Sequence, residues 1–507
     1  MDVFDVVIIG GGINGCGCAA DAALRGLSVL LCEKDDIASK TSSSSTKLIH
    51  GGLRYLEYYD FSLVKKALDE RQKLLELAPH LVHALPIVLP QQKAMRPLWM
   101  LRAGLFLYDN LSRKNKLPKA KLIHRRQQPQ YFNPLTCELN DGFLFYDGAT
   151  DDARLTLANA KQARDHGARI LTRTSLVQAE AVDNQWLLTL QPAHAEPFQV
   201  QAKTIINAAG PWVEPVNNLL HIPMNHTMSL VKGSHIVVHK LYEGNHAYLL
   251  QHTDNRIVFV IPYHGYTMIG TTDVAFTGVL EDISISPAEI NYLFELVNTY
   301  FSKQLVKGDI INSWSGVRPL IAETGKALTK ISRDYAYHFT STPAPAITIY
   351  GGKVTTYRRL ALRAIDELNV IFPKLPDSKT AITPLPGAVR EGRSFKEYQQ
   401  YAREKYHWLD PELLERYLQN YGTDAEQFLA ACMEMSDLGI YFTHSLYQVE
   451  VDYLMDEEWA ISCDDVLWRR SKLGLSMDMV SQSTLANYLH KRALARAYED
   501  EFLSTER

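Results

Sequence analysis

The chain has 507 residues, of which 46% are hydrophobic, so it can form several domains around a large core. Its formal net charge of −4 at pH 7 argues against a nucleic-acid-binding protein on bulk electrostatics. The 6 cysteines include no CxxC pair and no metal-like grouping, which predicts reduced thiols and no metal site. The N-terminal apolar run is short and contains Asp2 and Asp5, and no run of about 18 apolar residues follows. We therefore expect no secretion signal and no membrane span.

The N-terminus predicts a dinucleotide-binding unit. An apolar run, Phe4 to Ile9, leads into GGGING, where Gly10, Gly12 and Gly15 have GxGxxG spacing. These glycines permit a tight turn, close approach of the backbone to a pyrophosphate, and close helix packing. Amides at the following helix N-terminus can bind phosphate. Glu33 ends the second predicted strand, where a carboxylate can accept hydrogen bonds from a ribose.

A basic and apolar segment follows between Lys93 and Arg126. It carries 10 cations and 1 acid, so its local charge is +9 (10 − 1). Within it, the run 98–111 is apolar and aromatic but too short to span a bilayer. We predict that it lies in the interface of an anionic membrane, with four residues buried there: Leu98, Trp99, Leu105 and Phe106. The alternatives are a core helix followed by a basic loop or, less favoured, a nucleic-acid patch.

Later segments repeat the strand–glycine pattern, which predicts a discontinuous nucleotide-binding domain. TIINAAGPWV (204–213) and the run 346–368 each join an apolar stretch to a glycine turn. We assign 1–60, 145–213 and 346–388 to this domain, and 61–144 to a helical, membrane-associating segment. Residues 214–345 are β-rich and predict a substrate-binding domain. Residues 389–507 predict a helical C-terminal domain.

The motifs taken together resemble a known family. GGGINGCGCAADAALRG, TSSSSTKLIHGGLRYLEYYDF, NAAGPWV, VKGSHIVV, IGTTDV, SGVRPL and YGGKVTTYR, in this order, resemble the FAD-dependent glycerol-3-phosphate dehydrogenases of the D-amino-acid-oxidase-like flavoproteins. The resemblance extends to DDVLWRRSKLGL near the C-terminus. It implies an α/β (α+β) fold: a Rossmann-like FAD-binding domain, an inserted antiparallel β substrate-binding domain and an all-helical C-terminal domain.

The resemblance implies FAD rather than NAD as the cofactor. The Ser/Thr cluster at 41–46 offers donors for a second phosphate and the ribityl chain, and its alternative is a solvated loop. Lys353 follows a glycine pair before a helix, where its charge can stabilise a reduced flavin. The expected FAD-binding residues are Gly10, Gly12, Ile13, Asn14, Gly15, Glu33, Lys34, Thr41, Ser42, Ser45, Lys47, Leu48, Val177, Gly210, Trp212, Gly352, Lys353 and Thr355.

The implied substrate is glycerol 3-phosphate. The resemblance assigns Arg54 and Arg318 to its phosphate, which suits guanidinium groups because they donate two parallel hydrogen bonds. Tyr55 and Thr271 are expected to add hydroxyl groups to the same site.

The implied reaction oxidises a secondary alcohol, with hydride passing to FAD while a base removes the hydroxyl proton. His50 is the first candidate for this base and His235 the second; one of the two arginines can instead stabilise the developing alkoxide, with no histidine essential. Arg318 and Lys353 are also expected to be catalytic. If His50 is the base, its ionisation should shape the pH profile near neutrality.

The resemblance also implies electron transfer to ubiquinone or menaquinone in glycerol catabolism and respiration. We expect a homodimer that is peripheral on the cytoplasmic face of the cell membrane. Three alternatives remain: an oxidase that reduces oxygen, a flavin amine oxidase, and a catalytically silent membrane-bound scaffold.

Overall fold

The computed structural model describes the chain except residues 93–94, 255, 323–332, 390–391 and 506–507, and the side chains of 496–505. Lys93, one cation of the basic segment, thus lies outside the described residues. The strands are β1 (Val3–Ile9), β2 (Val29–Cys32), β3 (Leu48–Ile49), β4 (Val82–Pro90), β5 (Lys121–His124), β6 (Asp141–Thr150), β7 (Arg169–Leu171), β8 (Thr174–Val182), β9 (Gln185–Pro192), β10 (Phe198–Asn207), β11 (Met228–His239), β12 (Ala247–Gln251), β13 (Ile257–Tyr263), β14 (Tyr266–Gly270), β15 (Val274–Ala275), β16 (Ile310–Ile321), β17 (Tyr335–Thr340), β18 (Ala346–Gly351), β19 (Tyr441–Thr443) and β20 (Leu446–Tyr447).

The described residues also form twelve α-helices. They are α1 (Ile13–Leu24), α2 (Phe61–Leu77), α3 (Leu98–Leu111), α4 (Asp152–Asp165), α5 (Val213–Leu219), α6 (Pro287–Tyr300), α7 (Tyr357–Asp366), α8 (Phe395–Lys405), α9 (Pro411–Tyr421), α10 (Ala425–Leu429), α11 (Gln448–Glu457) and α12 (Met479–Thr505).

The first sheet confirms the Rossmann-like prediction. Its main order is β17-β18-β10-β1-β2-β7, and β1, β2, β7, β10 and β18 run parallel. The central strands are buried on both faces, which explains why β1 is an almost continuous β-branched run. Helix α1 packs against α4 and α7. Because β1, β2, β10 and β18 all end at one edge of the sheet, the turns after them converge there.

The second sheet has ten strands, in the main order β15-β11-β14-β13-β12-β4-β6-β3, with β16 on β11 and β5 on β6. It is mostly antiparallel, although β4 and β12 run parallel. The predicted domain boundaries need correction here. The segment 61–144 is not only helical, since β4 and β5 belong to this sheet, and 145–150 extends the same sheet through β6. The apolar runs of these strands are flanked by charged stretches, which obscured them in the sequence.

The C-terminal domain is helical from α8 to α12, with one small two-stranded sheet, β19–β20. Its core is rich in tyrosine and leucine, including Tyr417, Tyr421 and Leu454, each at most 1% exposed. An N-cap serine with a glutamate three residues on, Ser394 and Glu397, starts α8 by a capping box. This domain packs on α4 and on the segment after β2.

Helix α3 lies on the second sheet with one face towards solvent. Leu101, Leu105 and Tyr108 are buried at spacings of 4 and 3 residues. On the other face, Trp99 is 70% exposed and Phe106 67% exposed. The prediction for Leu105 is therefore wrong, because it belongs to the protein core.

The half-buried Leu98 also packs against that core, and Met100 and Leu107 join the exposed face instead. Among the described residues, no helix combines the length and the apolar character that crossing a bilayer requires.

Candidate functional site

A cavity of about 320 Å³ lies at the edge of the first sheet where the parallel strands end. Four chain segments that are far apart in sequence form its wall: 9–14, 32–42, 208–219 and 351–354, together with 174–176 and Pro319. This location is the one that ligands take in open α/β sheets. The glycine turn, the acidic end of β2 and the Ser/Thr loop, which the sequence predicted as one site, all lie in this wall.

The glycine turn has the geometry that the spacing predicts. Gly10 has φ +113°, and a Cβ there would lie 2.7 Å from the Ala208 carbonyl oxygen. A Cβ on Gly15 would lie 1.9 Å from the Gly10 carbonyl oxygen, so α1 can approach β1 only with glycine at this position. Gly12 is the N-cap of α1 and lines the cavity. The first amides of α1 therefore face a space that suits a phosphate.

Glu33 lies in the same wall, with its carboxylate held by the backbone. Its Oε2 accepts from the Gly11 amide at 2.6 Å and its Oε1 from the Asp35 amide at 2.8 Å. Burial raises the pKa of Glu33, and these two hydrogen bonds oppose the rise. Each oxygen retains a second lone pair, so the carboxylate can still accept bonds from ribose hydroxyls.

The Ser/Thr loop divides its residues between two roles. Ser42 Oγ accepts from the Ile13 amide at 2.9 Å, and Thr41 Oγ1 donates to the Val317 carbonyl at 2.8 Å. Ser45 instead donates to Asp152 Oδ2 at 2.7 Å. Lys47 Nζ donates to Asp152 Oδ1 at 2.7 Å, so Lys47 is buried behind the loop and is absent from the described cavity wall.

Two further cofactor predictions have different outcomes. Lys34 and Trp212 line the cavity mouth, where the ammonium lies 4.3 Å from the indole centroid and both groups bond to Glu281. Gly210 lines the cavity beside them. Val177 does not belong to the described wall of this cavity; it is 44% exposed, and it lies at a register shift of β8 between Leu176 and Gln178, where it has no partner residue on β9 in the described register.

The turn after β18 joins this cavity to a second one. Gly351 and Gly352 have φ +72° and +111°, and Asn14 Nδ2 donates to the Gly351 carbonyl at 3.0 Å. Asn14 Oδ1 is buried and has no hydrogen-bond partner within the described part of the chain, which is the state expected of an acceptor that faces a ligand. Gly352 and Lys353 line both cavities, together with Thr41, Pro319 and Val354.

The second cavity, of about 220 Å³, contains the residues predicted for substrate binding and is the candidate substrate chamber. It brings together Arg54, Tyr55, Thr271, Arg318 and Lys353. Ser45, Leu48 and Thr355, predicted as cofactor residues, line this chamber rather than the first cavity. One end of the chamber thus carries cations and hydroxyl groups, and the other meets the cofactor turn.

Two chamber residues, Asp273 and Arg333, were missed by the sequence prediction. Arg318 Nη1 donates to Asp273 Oδ1 at 2.6 Å, and Arg333 Nη2 donates to the same oxygen at 3.1 Å. Arg318 Nη2 also donates to Thr271 Oγ1 at 3.0 Å. Asp273 lies in the motif IGTTDV and could have been found there, whereas no motif marks Arg333.

Charge in the chamber favours a dianion. Arg54, Arg318, Arg333 and Lys353 face a single carboxylate, Asp273, among the described lining residues. Three guanidinium groups in one chamber suit a phosphate, which can accept several charge-assisted hydrogen bonds at once.

Tyr55 and Lys353 form the boundary between chamber and cofactor turn. The ammonium of Lys353 lies 4.1 Å from the centroid of the Tyr55 ring. Burial raises the pKa of Tyr55, but the positive charges of Lys353, Arg333 and Arg318 outweigh it, so this pKa lies below its usual value.

His50 lines the chamber, as predicted. Its backbone amide donates to Thr355 Oγ1 at 3.3 Å, and its ring meets Phe259 edge-on with centroids 6.1 Å apart. Burial, with the nearby charges of Lys353 and Arg71, lowers the pKa of His50 to about 3. The imidazole is therefore neutral at physiological pH in the ligand-free protein, and this low pKa disagrees with the ionisation expected near neutrality.

His235 is not in the described wall of either cavity. It is fully buried in β11, stacked on Trp314 with centroids 5.5 Å apart, and its Nε2 lies 3.1 Å from Thr46 Oγ1. Burial lowers the pKa of His235 well below its usual value. His235 therefore does not lie where a base for the substrate would have to lie, because Thr46 separates the His235 ring from the chamber.

Comparisons with known proteins agree with this geometry. The family model described as FAD dependent oxidoreductase matches residues 5–358, and the model of the C-terminal domain of alpha-glycerophosphate oxidase matches residues 378–488. A glycerol-3-phosphate dehydrogenase from Pseudomonas aeruginosa is 45% identical over 96% of this chain and 95% of its own length. A D-erythritol 1-phosphate dehydrogenase from Brucella abortus is 41% identical over 92% of this chain and 94% of its own length.

A solved structure extends the comparison to the fold. The X-ray structure of the glycerol-3-phosphate dehydrogenase from Bacillus halodurans, complexed with FAD, has a TM-score of 0.78 to this chain. It is 26% identical and covers 96% of this chain and 90% of its own. The residues of the first cavity fit FAD: an acid for the ribose, helix amides for the pyrophosphate, an unpartnered acceptor at Asn14 and a cation at Lys353.

Proposed function

We propose, since this chain belongs to the FAD-dependent oxidoreductase family and binds FAD, that it oxidises sn-glycerol 3-phosphate to dihydroxyacetone phosphate. The observation that carries the proposal is the chamber with Arg54, Arg318 and Arg333, which meets the FAD cavity at Lys353. A phosphate held by the arginines leaves the carbinol end of a short substrate near Lys353 and His50.

The residues of this chain divide the work of the reaction. Bound FAD supplies the hydride acceptor. Arg54, Arg318 and Arg333 bind and orient the phosphate, and Asp273 fixes the relative orientation of two of the guanidinium groups. Neutral His50 accepts the hydroxyl proton, and the Lys353 ammonium stabilises negative charge that develops between the substrate and the cofactor.

A buried hydrogen-bond network holds the turn that carries His50. The amide of Gly51 donates to Tyr108 Oη at 2.8 Å, and Tyr108 donates to Asp147 Oδ2 at 2.7 Å. Arg71 pairs with the same carboxylate at 2.5 Å. This buried network holds the backbone next to His50, so the ring keeps its place when a substrate enters.

The electron acceptor in this proposal is a membrane quinone. The exposed face of α3, with Trp99, Met100, Phe106 and Leu107, suits partial burial in a lipid interface, and basic residues such as Arg113 and Lys114 flank it. A protein seated in this way on the inner face of the cell membrane would meet a lipid-soluble acceptor without spanning the bilayer.

The test is anaerobic mixing of the purified yellow protein with glycerol 3-phosphate, followed by flavin absorbance. We expect rapid bleaching with glycerol 3-phosphate and very slow bleaching with glycerol, which lacks the phosphate. Bleaching by D-erythritol 1-phosphate alone would overturn the assigned substrate and favour the activity of the Brucella relative. Stoichiometric peroxide in air, with no reduction of a quinone analogue, would favour the oxidase alternative.

A further inference from the structure

We propose that the C-terminal domain retains the FAD, and that Arg470 is a positioning residue that does so through its buried pair with Asp36. This role of Arg470 concerns the FAD site alone, and it holds whichever substrate the chamber binds.

Asp36 is the buried centre of a loop that forms one wall of the FAD cavity. On either side of it, Glu33, Lys34 and the run 38–42 line the cavity. Asp36 itself is 3% exposed and turns its carboxylate away from the cavity, towards the C-terminal domain. The Ala38 amide donates to the Gly11 carbonyl at 3.0 Å, which ties this loop to the glycine turn. A displacement of Asp36 would therefore move the wall that contacts the adenosine end of FAD.

The partner of Asp36 comes from more than 400 residues further along the chain. Arg470 is 0% exposed, and its Nη2 donates to Asp36 Oδ1 at 2.9 Å while its Nη1 bonds to Oδ2. Arg469 Nε donates to Asp36 Oδ2 at 2.5 Å. Both arginines lie in a single π-helical turn, Asp465–Arg470, a helix type that is rare and concentrated at functional sites.

A second carboxylate on the same turn fixes the arginines. Asp465 is 1% exposed, pairs with Arg469 and with Arg173, and accepts from the Ile461 amide at 2.8 Å. Burial acts against the charged form, but the surrounding guanidinium groups lower the pKa of Asp465 to about 2. The Asp465 carboxylate therefore stays ionised and holds Arg469 in place, so that the turn presents its guanidinium groups to Asp36.

Lys472, two residues beyond Arg470, pairs with Asp151, the N-cap of α4. Its Nζ donates to Asp151 Oδ1 at 2.7 Å. The next residue, Asp152, accepts from Ser45 Oγ and Lys47 Nζ, both at 2.7 Å, and so holds the Ser/Thr loop. One short segment of the C-terminal domain, 465–472, thus contacts the 33–42 loop directly through Asp36. Through Asp151 it also contacts the start of α4, next to the carboxylate that holds the Ser/Thr loop.

Loss of Arg470 leaves the buried Asp36 carboxylate with Arg469 as its nearest cation, and loss of the Asp36 charge leaves the fully buried Arg470 without its carboxylate partner. Either change is costly in a buried interface. The cost is relieved if the 33–42 loop moves outwards to hydrate Asp36. Because that loop is the cavity wall, the movement weakens FAD binding rather than only the stability of the domain.

The experiment measures the rate at which purified holoenzyme releases FAD after dilution, by the fluorescence of free FAD. Asp36→Asn and Arg470→Gln should each raise the release rate roughly tenfold or more. Arg470→Lys should restore much of the retention because it keeps the charge. The double variant Asp36→Asn/Arg470→Gln should release FAD no faster than the worse single variant, since the two residues act as one pair.

The matched control is Arg416→Gln. Arg416 pairs with the fully buried Glu450 through two contacts of 2.6 Å, entirely within the C-terminal domain. The Arg416→Gln variant should lower the thermal unfolding temperature as much as Arg470→Gln does. Its FAD release rate should stay within about twofold of wild type. Equal acceleration by Arg416→Gln, or unchanged release from Asp36→Asn, would overturn the proposal. If Arg470→Gln does not fold, Asp36→Asn and Arg470→Lys decide the question.

Discussion

The ammonium of Lys353 lies directly over the ring of Tyr55, 4.1 Å from its centroid, where the FAD turn meets the substrate chamber. The contact joins a residue of the turn after β18 to one in the 3₁₀ turn Leu53–Tyr58. In the proposed function, the positive charge of Lys353 acts on both the cofactor and the substrate, so its removal tests that function.

Lys353→Met should slow flavin reduction by glycerol 3-phosphate in single turnover by roughly a hundredfold, because a fixed charge near the reacting atoms is lost. Stopped-flow absorbance under anaerobic conditions measures this rate. Lys65→Met is the control, since Lys65 is exposed and pairs only along its own helix with Asp69. A wild-type rate in Lys353→Met would remove this residue from the chemistry.

Arg333→Gln should reduce kcat/KM for glycerol 3-phosphate more than tenfold. The loss corresponds to about 1.5–3 kcal/mol of transition-state stabilisation, because a hydrogen bond to a charged group is lost. The slow oxidation of glycerol should hardly change, because glycerol has no phosphate to bind. Steady-state kinetics with both substrates give the comparison. Arg403→Gln, an exposed position in the C-terminal domain, is the control. A similar loss with glycerol would mean that Arg333 supports the fold of the chamber.

His50→Asn should slow flavin reduction by roughly 10²–10⁴-fold, the usual contribution of a general base. Since the pKa of His50 is about 3, its imidazole stays neutral above pH 5, and wild-type reduction should show no loss attributable to His50 between pH 5 and pH 8. Stopped-flow rates across this range test both statements. His407→Asn, exposed in the C-terminal domain, should behave like wild type. An unchanged rate in His50→Asn would mean that Tyr55 or solvent, and not His50, accepts the hydroxyl proton of the substrate.

Acid should destabilise the protein through its buried histidines. His80 is 5% exposed, and burial, with the charges of Arg154 and Lys161, lowers its pKa to about 3. The folded state therefore binds fewer protons than the unfolded state between about pH 6.5 and pH 3. The corresponding stability is fully present above pH 6.5 and is lost as the pH falls, by up to about 1.4 kcal/mol per pH unit for each such histidine.

The measurement is thermal unfolding of wild type and His80→Gln between pH 7.5 and pH 4.5. The variant should be less stable at pH 7.5 but should lose less on acidification, so the two curves converge. Parallel curves would show that His80 does not titrate in this range on unfolding.

The exposed face of α3 should control membrane binding. Trp99→Ser/Phe106→Ser should weaken binding to anionic vesicles by roughly tenfold or more per residue, because the burial of each aromatic side chain is worth at least about 1.5 kcal/mol. Turnover with a soluble dye should persist while quinone reduction falls. Vesicle sedimentation measures the binding, and Met479→Ser, exposed in the C-terminal domain, is the control. Wild-type binding in the double variant would place the membrane contact elsewhere.

Most residues of the cofactor site could be predicted from local sequence patterns. Gly10, Gly12 and Glu33 are recognisable because a glycine turn and an acid at the end of a strand are fixed by neighbours in sequence. Arg333 could not be found in this way, since it lies just before β17 of the first sheet and meets Asp273, next to β15 of the second sheet, only in the folded protein. His235 lay in a matched motif, but the sequence does not show that Thr46 stands between it and the chamber.

Helix α3 shows an error that the sequence itself could have prevented. Leu101, Leu105 and Tyr108 are spaced by 4 and 3 residues and so share one face, whereas Trp99 and Phe106 are 7 apart and share the other. Attention to composition alone placed Leu105 on the lipid side. Periodicity would have placed it in the core.

The pairing of β1 with β10, and of β10 with β18, has a consequence for synthesis of the protein. A nascent chain that has left the ribosome as far as Leu24 already holds the glycine turn, yet the parallel neighbours of β1 include residues beyond 200. The Asn14 contact with Gly351 closes a loop of more than 300 residues, a slow step in any folding chain. The wall of the FAD cavity is therefore complete only after residues up to Val354 have left the ribosome, and translation products that end before this point should be colourless.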